Sequence, residues 1–396
     1  MSNPETLSIE KLVYGGDGLS RLEGKVVFTP YVLPGEVVNA DVERIKNDLW
    51  RGRLLEVTQP SPDRVQAPCP YFQRCGGCNY QHADYAAQLE LKRSILREVL
   101  RRVGKIEFDG EIEVISSEPW QYRNRVQLHV ENGTAGYFEH GSHKLCPITS
   151  CPIVSPALNL AIGKLNAQLP SIRWFKSTIE LFTNETDVQV NVLDRMPGPV
   201  RRIIDSLGQS TPIDYSGFRV SRNSFFQVNR FLVDRLVDAA IGEANGDWAV
   251  DLYAGVGLFA VSLAARFRQV SAVESSRGAV RDLDHNISTR GLPVQAENKT
   301  AEDYLATLEK TPDLILADPP RSGLGKQAVR ELARIRAPQV TIVACDPAKL
   351  ARDLAGLVAG GYHIDRVTLV DLFPQTFHLE AVAQLSLATR VLKHDS

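Results

Sequence analysis

After Phe218 this chain of 396 residues repeats one rhythm, and no other feature restricts its fold as strongly. Strand-like runs occur at Trp248-Ala249-Val250-Asp251-Leu252, Val270-Ser271-Ala272-Val273-Glu274, Leu314-Ile315-Leu316-Ala317-Asp318 and Val340-Thr341-Ile342-Val343-Ala344, separated by turns and helical stretches. Alternating β and α units bury both faces of a sheet when the strands run largely parallel, so the pattern predicts a doubly wound α/β domain. Ligands of such sheets lie beyond the carboxyl ends of the strands, which places Asp318 and Cys345 on one rim.

The rest of the chain is built differently. Residues 5 to 58 alternate short β-rich runs with turn signals at Gly15-Gly16-Asp17-Gly18 and Pro34-Gly35, the pattern of a small antiparallel barrel of the OB-like kind. Gln59-Pro60-Ser61-Pro62-Asp63 reads as a linker, followed by a cysteine-rich loop and an arginine-rich helix over about 84–103 that is expected to pack on the catalytic domain. Residues 111 to 216 mix strands with a helix near Pro156 to Leu169, an α+β region. The expected domains are therefore 1–60, 61–217 and 218–396. The start MSNPETLSIEKL lacks the features of a signal peptide, and no window holds about 18 uninterrupted apolar residues, so a soluble cytoplasmic protein is expected. A net charge of -2 means that any polyanion must bind a local basic patch.

Four short motifs carry chemistry. Asp251-Leu252-Tyr253-Ala254-Gly255-Val256-Gly257 leaves a strand and enters a helix, and Glu274 ends the next strand, where a carboxylate can accept from both ribose hydroxyls of an adenosine. The third glycine of a pyrophosphate loop is missing, which suits S-adenosylmethionine. Asp318-Pro319-Pro320-Arg321 follows another strand, like the loops that present a flipped base to a methyl donor. Cys345 ends a further strand and is followed by Asp346-Pro347, which marks it as a nucleophile; Glu380, in the loop before the final strand, is a plausible base. Cys69, Cys75 and Cys78 lie within ten residues, a spacing that favours a metal or cluster over disulfides.

In this order the motifs resemble those of the S-adenosylmethionine-dependent RNA (uracil-5)-methyltransferases over nearly the whole chain. The N-terminal segment resembles their TRAM barrel, Cys69, Cys75 and Cys78 their iron–sulfur motif, and Ser224-Phe225-Phe226-Gln227-Val228-Asn229 their S-F-F-Q-V-N. The resemblance implies a Rossmann-like class I methyltransferase domain in which Gln227, Tyr253, Glu274 and Asp318 line the donor pocket, Cys345 is the nucleophile and Glu380 the base. It implies a 4Fe-4S cluster on Cys69, Cys75, Cys78 and Cys151, with Cys151-Pro152 matching the family better than Cys146. Zinc is the alternative metal. Phe225 is implied to stand beside the target base, and Arg123 and Arg125 to contact RNA. The barrel with a cluster loop resembles the 23S ribosomal RNA branch, with transfer RNA as the alternative; a monomer without membrane attachment is expected.

Three positions depart from the family pattern: Ala254, Leu258 and Asp346. The last adds a charge expected to raise the Cys345 thiol pKa. Carbon 5 of uracil is too weak a nucleophile to take a methyl group directly, so a thiolate adding at carbon 6 would be needed to activate it. Two rival functions are an amino-group methyltransferase using Asp318-Pro319-Pro320 without a covalent thiol, and a non-catalytic RNA-binding protein. A local track of Arg44, Lys46, Arg51, Arg53, Arg97, Arg101, Arg102, Arg123 and Arg125 is expected to serve RNA.

Overall fold

The computed structural model describes residues 4–46, 49–169, 176–195 and 197–388. The chain divides into two compact units: Met1–Ile95 with Glu118–Gln209 and Phe373–His378, and Leu96–Ser117 with Ser210–Leu372 and Leu379–Ser396. The helix Tyr85–Gly104 belongs in part to each.

In the first unit six strands form a sheet in the order Glu5–Ser8, Val37–Lys46, Leu49–Gln59, Lys25–Pro30, Asp17–Leu22, Lys11–Leu12. The two outermost strands are separated in the chain by Ile9 and Glu10 alone, so the sheet must curl until its edges approach. Leu7, Ile9, Val27, Val32, Val38 and Ala40 fill the interior. One pairing departs from the antiparallel expectation, since Lys25–Pro30 runs parallel to Leu49–Gln59. The hairpin of Val37–Lys46 and Leu49–Gln59 shifts register at three places, and such irregularities bend a long strand enough to serve neighbours on both sides.

A second, wholly antiparallel sheet has the order Leu145–Pro147, Thr134–Phe138, Arg125–Glu131, Lys176–Thr183, Val188–Val192. Val126, Leu128 and Val130 alternate inward and share a core with Leu158, Ile162 and Leu165 of the helix Pro156–Gln168. At Gly136 a Cβ would stand 2.0 Å from the Cys146 carbonyl oxygen, so the strand crossing there tolerates no side chain.

The second unit is built on eight strands: Val294–Glu297, Phe267–Val273, Gly246–Leu252, Leu314–Ala317, Gln339–Ala344, Ala381–Leu387, Tyr362–Val370 and Ile112–Ile115. All neighbours are parallel except where Ala381–Leu387 inserts antiparallel between Gln339–Ala344 and Tyr362–Val370. Every residue of Leu314–Ala317 is buried, as a central parallel strand requires. The four strands expected from sequence stand side by side, and their carboxyl ends form one rim. Among the described residues no helix is long and apolar enough to cross a membrane.

Candidate active site and cysteine cavity

The strand Gly246–Leu252 ends in a tight turn. Tyr253, Gly255 and Gly257 have φ of 63°, 56° and 98°, and the left-handed conformation of Tyr253 costs about 1–2 kcal/mol, strain of a kind that gathers at functional sites. The turn presents the Gly255 N–H to Glu274 Oε2 at 3.0 Å, while the Ser276 N–H reaches Oε1 at 2.6 Å. Glu274 is thereby oriented by two backbone donors and stays partly exposed, with acceptor capacity left for a diol. Gln227, buried, donates from Nε2 to Asp318 Oδ2 at 3.4 Å. Burial pushes the Tyr253 phenol up, with Glu302 and Asp353 adding to it. Of the two family departures nearby, Ala254 and Leu258 are both buried and apolar, so each packs as a core residue.

Asp251 sits beneath this turn, fully buried, and sequence reading gave it no role. Burial holds its carboxyl well above the usual range, Asp318 and Glu274 push the same way, and the Ala260 N–H opposes without a hydrogen bond of normal geometry to either oxygen. The signal available in the sequence was a charge inside an apolar strand.

Cys345 follows Gln339–Ala344 and is half-buried, while Glu380 is buried at the start of the neighbouring Ala381–Leu387. The two strands pair in register with Ala344 opposite Ala381, so residues 345 and 380 emerge side by side. Burial raises the Cys345 thiol to about 11; Glu380 is the next cause, Arg321 opposes it, and Asp318 adds a smaller rise. Glu380 is itself raised well above the usual carboxyl range by burial, then by Asp318, with Arg321 opposing. Burial raises Asp318 to about 7. Thiol and carboxyls therefore form one electrostatic unit whose cation is Arg321, a residue sequence reading left without a role.

The thiol pKa rises as expected, but burial and Glu380, not Asp346, are the leading causes. Its side chain caps the helix Pro347–Ala359, accepting from the Ala348 and Lys349 N–H groups at 2.9 and 3.0 Å, which turns its charge onto the helix terminus. Asparagine and aspartate cap almost equally well, so this departure leaves the local geometry in place.

Phe225 is 59% exposed, whereas Phe226 is buried against Tyr215 and Phe218. One ring anchors the loop and the next is presented to solvent.

In the first unit Cys69, Cys75, Cys78 and Cys151 line one cavity of about 240 Å³, and Cys146 does not. Gly77 N–H points at Cys75 Sγ at 3.4 Å, and the Ile153 and Val154 N–H groups act on Cys151. Asn159 clamps the Cys151 loop, accepting from its N–H at 2.8 Å and donating to its carbonyl at 2.9 Å. Burial raises the Cys75 thiol to about 12 and Cys151 to about 11, and the neighbouring thiols add to both. Among the described residues no three His, Cys, Asp or Glu side chains are arranged to hold a metal ion. Cys146 is buried on the strand Leu145–Pro147.

The arginines fall into different surroundings. Arg123 lines the thiol cavity, donates to the Arg125 carbonyl at 2.9 Å and lowers the Cys151 thiol. Arg125 departs from its expected role in RNA contact: it is buried, paired with Glu180 at 3.1 Å and stacked 4.3 Å over Phe182. Its cross-strand neighbours bury it: Arg125 lies opposite Phe182, on the face away from Val126, Leu128 and Val130. Arg44, Arg51, Arg53, Arg64 and Arg74 line a groove of about 1160 Å³ together with Asp41, Glu43, Glu56 and Glu139. Arg53 is paired with Asp41, Arg64 with Glu36 and Arg74 with Glu139. The Lys46 side chain lies outside the described residues.

The fold and rim define a methyltransferase of the doubly wound type. A family model described as tRNA (uracil-5-)-methyltransferase matches residues 174–387, and the chain belongs to that family. It is 32% identical to an uncharacterized RNA methyltransferase of Aquifex aeolicus over 97% of this chain and 99% of the relative. It is 34% identical to one of Streptomyces avermitilis over 99% and 100%. The crystal structure of Pyrococcus abyssi tRNA (uracil-54, C5)-methyltransferase in complex with S-adenosyl-L-homocysteine superposes with a TM-score of 0.75 at 26% identity, covering 96% of this chain and all of that one.

Proposed function

We propose that this enzyme transfers a methyl group from S-adenosylmethionine to carbon 5 of a uridine in RNA through a covalent Cys345 adduct. The observation that carries the reading is the pairing of Ala344 with Ala381, which sets a thiol and a buried carboxyl side by side at the rim that holds Asp318. Cys345 Sγ adds to carbon 6 as a thiolate, and the ring electrons move onto the carbon 4 oxygen. The enolate's carbon 5 displaces the methyl from the sulfonium, leaving a thioether. Glu380 then removes the carbon 5 proton, and the returning electrons expel the thiolate. Arg321 favours the thiolate, against burial and Glu380.

The donor pocket is assigned to Gln227, Tyr253, Glu274 and Asp318, supported by the strained turn and the two backbone N–H groups that aim Glu274. Phe225, presented to solvent, is assigned to stacking on the extruded base.

A 4Fe-4S cluster is assigned to Cys69, Cys75, Cys78 and Cys151. Four soft ligands line one cavity, with backbone N–H groups aimed at two of the sulfurs, which supports a thiolate-held cluster; zinc is the alternative metal. Addition and elimination move no electron to or from the protein, so the cluster is given a structural role. The N-terminal sheet is assigned as a TRAM barrel that binds RNA.

For the target we place 23S ribosomal RNA first, because a barrel joined to a cysteine cavity matches that branch of the family. Transfer RNA is the second reading, favoured by the likeness to the Pyrococcus abyssi enzyme over its whole length. Mapping 5-methyluridine in both RNAs from a strain lacking the gene decides between them. Loss of no such nucleotide, or retention of 5-methyluridine synthesis by Cys345→Ala, overturns the proposal and points to amino methylation.

A further inference from the structure

Asp282 and Asn286 lie one turn apart on the helix Arg277–Ser288, and both are fully buried polar residues with no part in the chemistry above. Burying a carboxylate is costly unless it is fully hydrogen-bonded, so the partners show what it is for. Asp282 Oδ2 accepts from the Ser221 N–H at 2.8 Å and the Ser224 hydroxyl at 2.7 Å. Oδ1 accepts from the Ser221 hydroxyl at 2.7 Å and Arg219 Nε at 3.2 Å. Asn286 accepts from the Arg219 N–H at 2.8 Å and donates to the Val256 carbonyl at 2.9 Å. Leu283 on the same helix stands beneath Gly257, where an added Cβ would come within 2.7 Å of it. One helix thus grips two loops: the glycine turn, and the segment Arg219–Ser224 that leads directly into Phe225 and Gln227.

We infer that Asp282 is a positioning residue that fixes the loop carrying Phe225 and Gln227, with Asn286 tying that loop to the glycine turn of the donor pocket. The inference rests on the assignment of Phe225 and Gln227 to base and donor. Its chemistry is selective for a carboxylate. Each oxygen faces one donor that cannot reverse, the Ser221 N–H at Oδ2 and Arg219 Nε at Oδ1, whereas the two hydroxyls can rotate. An amide in either orientation therefore sets its NH₂ against an obligate donor. Asp282→Asn, although isosteric, must break the grip.

The test compares Asp282→Asn with the wild type and with Phe225→Ala, using purified full-length protein, S-adenosylhomocysteine in calorimetry and an RNA substrate at steady state. Asp282→Asn is expected to raise the KM for RNA and the dissociation constant for S-adenosylhomocysteine by about tenfold each, with a full complement of binding sites. In a Phe225→Ala background the RNA effect should largely disappear, because both changes act through one ring. Ser224→Ala removes a single hydroxyl and should show the same pattern more weakly, which keeps the test open if the asparagine variant folds poorly. Unchanged KM and affinity with a lowered fraction of active sites would make the role merely structural and overturn the inference, as would full additivity with Phe225→Ala. Methylation at a position other than uracil carbon 5 would overturn the proposed function and leave the measured coupling to judge Asp282 on its own.

Discussion

Replacing Glu380 by glutamine separates the two halves of the proposed reaction, and the structure gives each half a direction. Glu380 is the largest charged contribution raising the Cys345 thiol, so removing its charge should lower the thiol pKa from about 11. Three units below that value, near pH 8, about one thiol in a thousand is ionised, so addition in the variant should be no slower than in the wild type. Elimination loses its base, and general bases contribute about 10²–10⁴-fold. Adduct should therefore form and persist. The assay is single turnover with labelled RNA and S-adenosylmethionine, followed by denaturing electrophoresis, beside a pH profile of Cys345 alkylation in the free enzyme. The expected result is a denaturation-resistant band carrying the methylated base and an alkylation midpoint below that of the wild type. Product release at the wild-type rate would refute the base assignment, and an unmoved midpoint would refute the electrostatic argument.

Other outcomes follow from the same geometry. Asp251, Asp318 and Glu380 all have folded-state pKa values raised above their unfolded values, so the stability they allow is fully present below about pH 4 and is lost as pH rises through the folded values, near 7 for Asp318. Thermal melts of the ligand-free protein should accordingly fall between pH 5 and 8, and Asp251→Asn, which removes one of the raised carboxyls, should lessen that fall; a melt indifferent to both changes would contradict this. Cys151→Ser should abolish the iron and acid-labile sulfide of anaerobically purified protein while Cys146→Ser retains them, and stoichiometric zinc without iron would reject the cluster. Because Arg53, Arg64 and Arg74 of the barrel groove are already paired with carboxylates, Arg51→Ala should reduce the salt slope of RNA binding by about one, whereas Arg53→Ala should change it less. Equal effects would show that the pairs open on binding.

Periodicity alone determined the sheet domain: four apolar runs with helices between them have few ways to bury both faces, and they run parallel in one sheet as expected. Cys345 and Glu380 were legible as rim residues because strand ends announce the rim, and the residues and the resemblance point to the same proposed roles for them. The capping role of Asp346 was also written locally, in an aspartate followed by proline at the first helical position, yet its charge attracted the wrong inference. Tertiary structure alone decided what depends on packing between distant segments. The resemblance already favoured Cys151 over its near neighbour Cys146, but the physical reason is tertiary: the path of the loop beyond Leu145–Pro147 places Cys151 at the cavity and Cys146 in the core. Arg125 carries a charge in any reading of its sequence, but the neighbouring strand buries it against Phe182 and Glu180. The Cys345 thiol is raised first by burial and then by Glu380, which an antiparallel strand inserted into the parallel sheet brings near, while Arg321, beyond Leu314–Ala317, opposes; Coulombic interaction follows distance in space and not position along the chain.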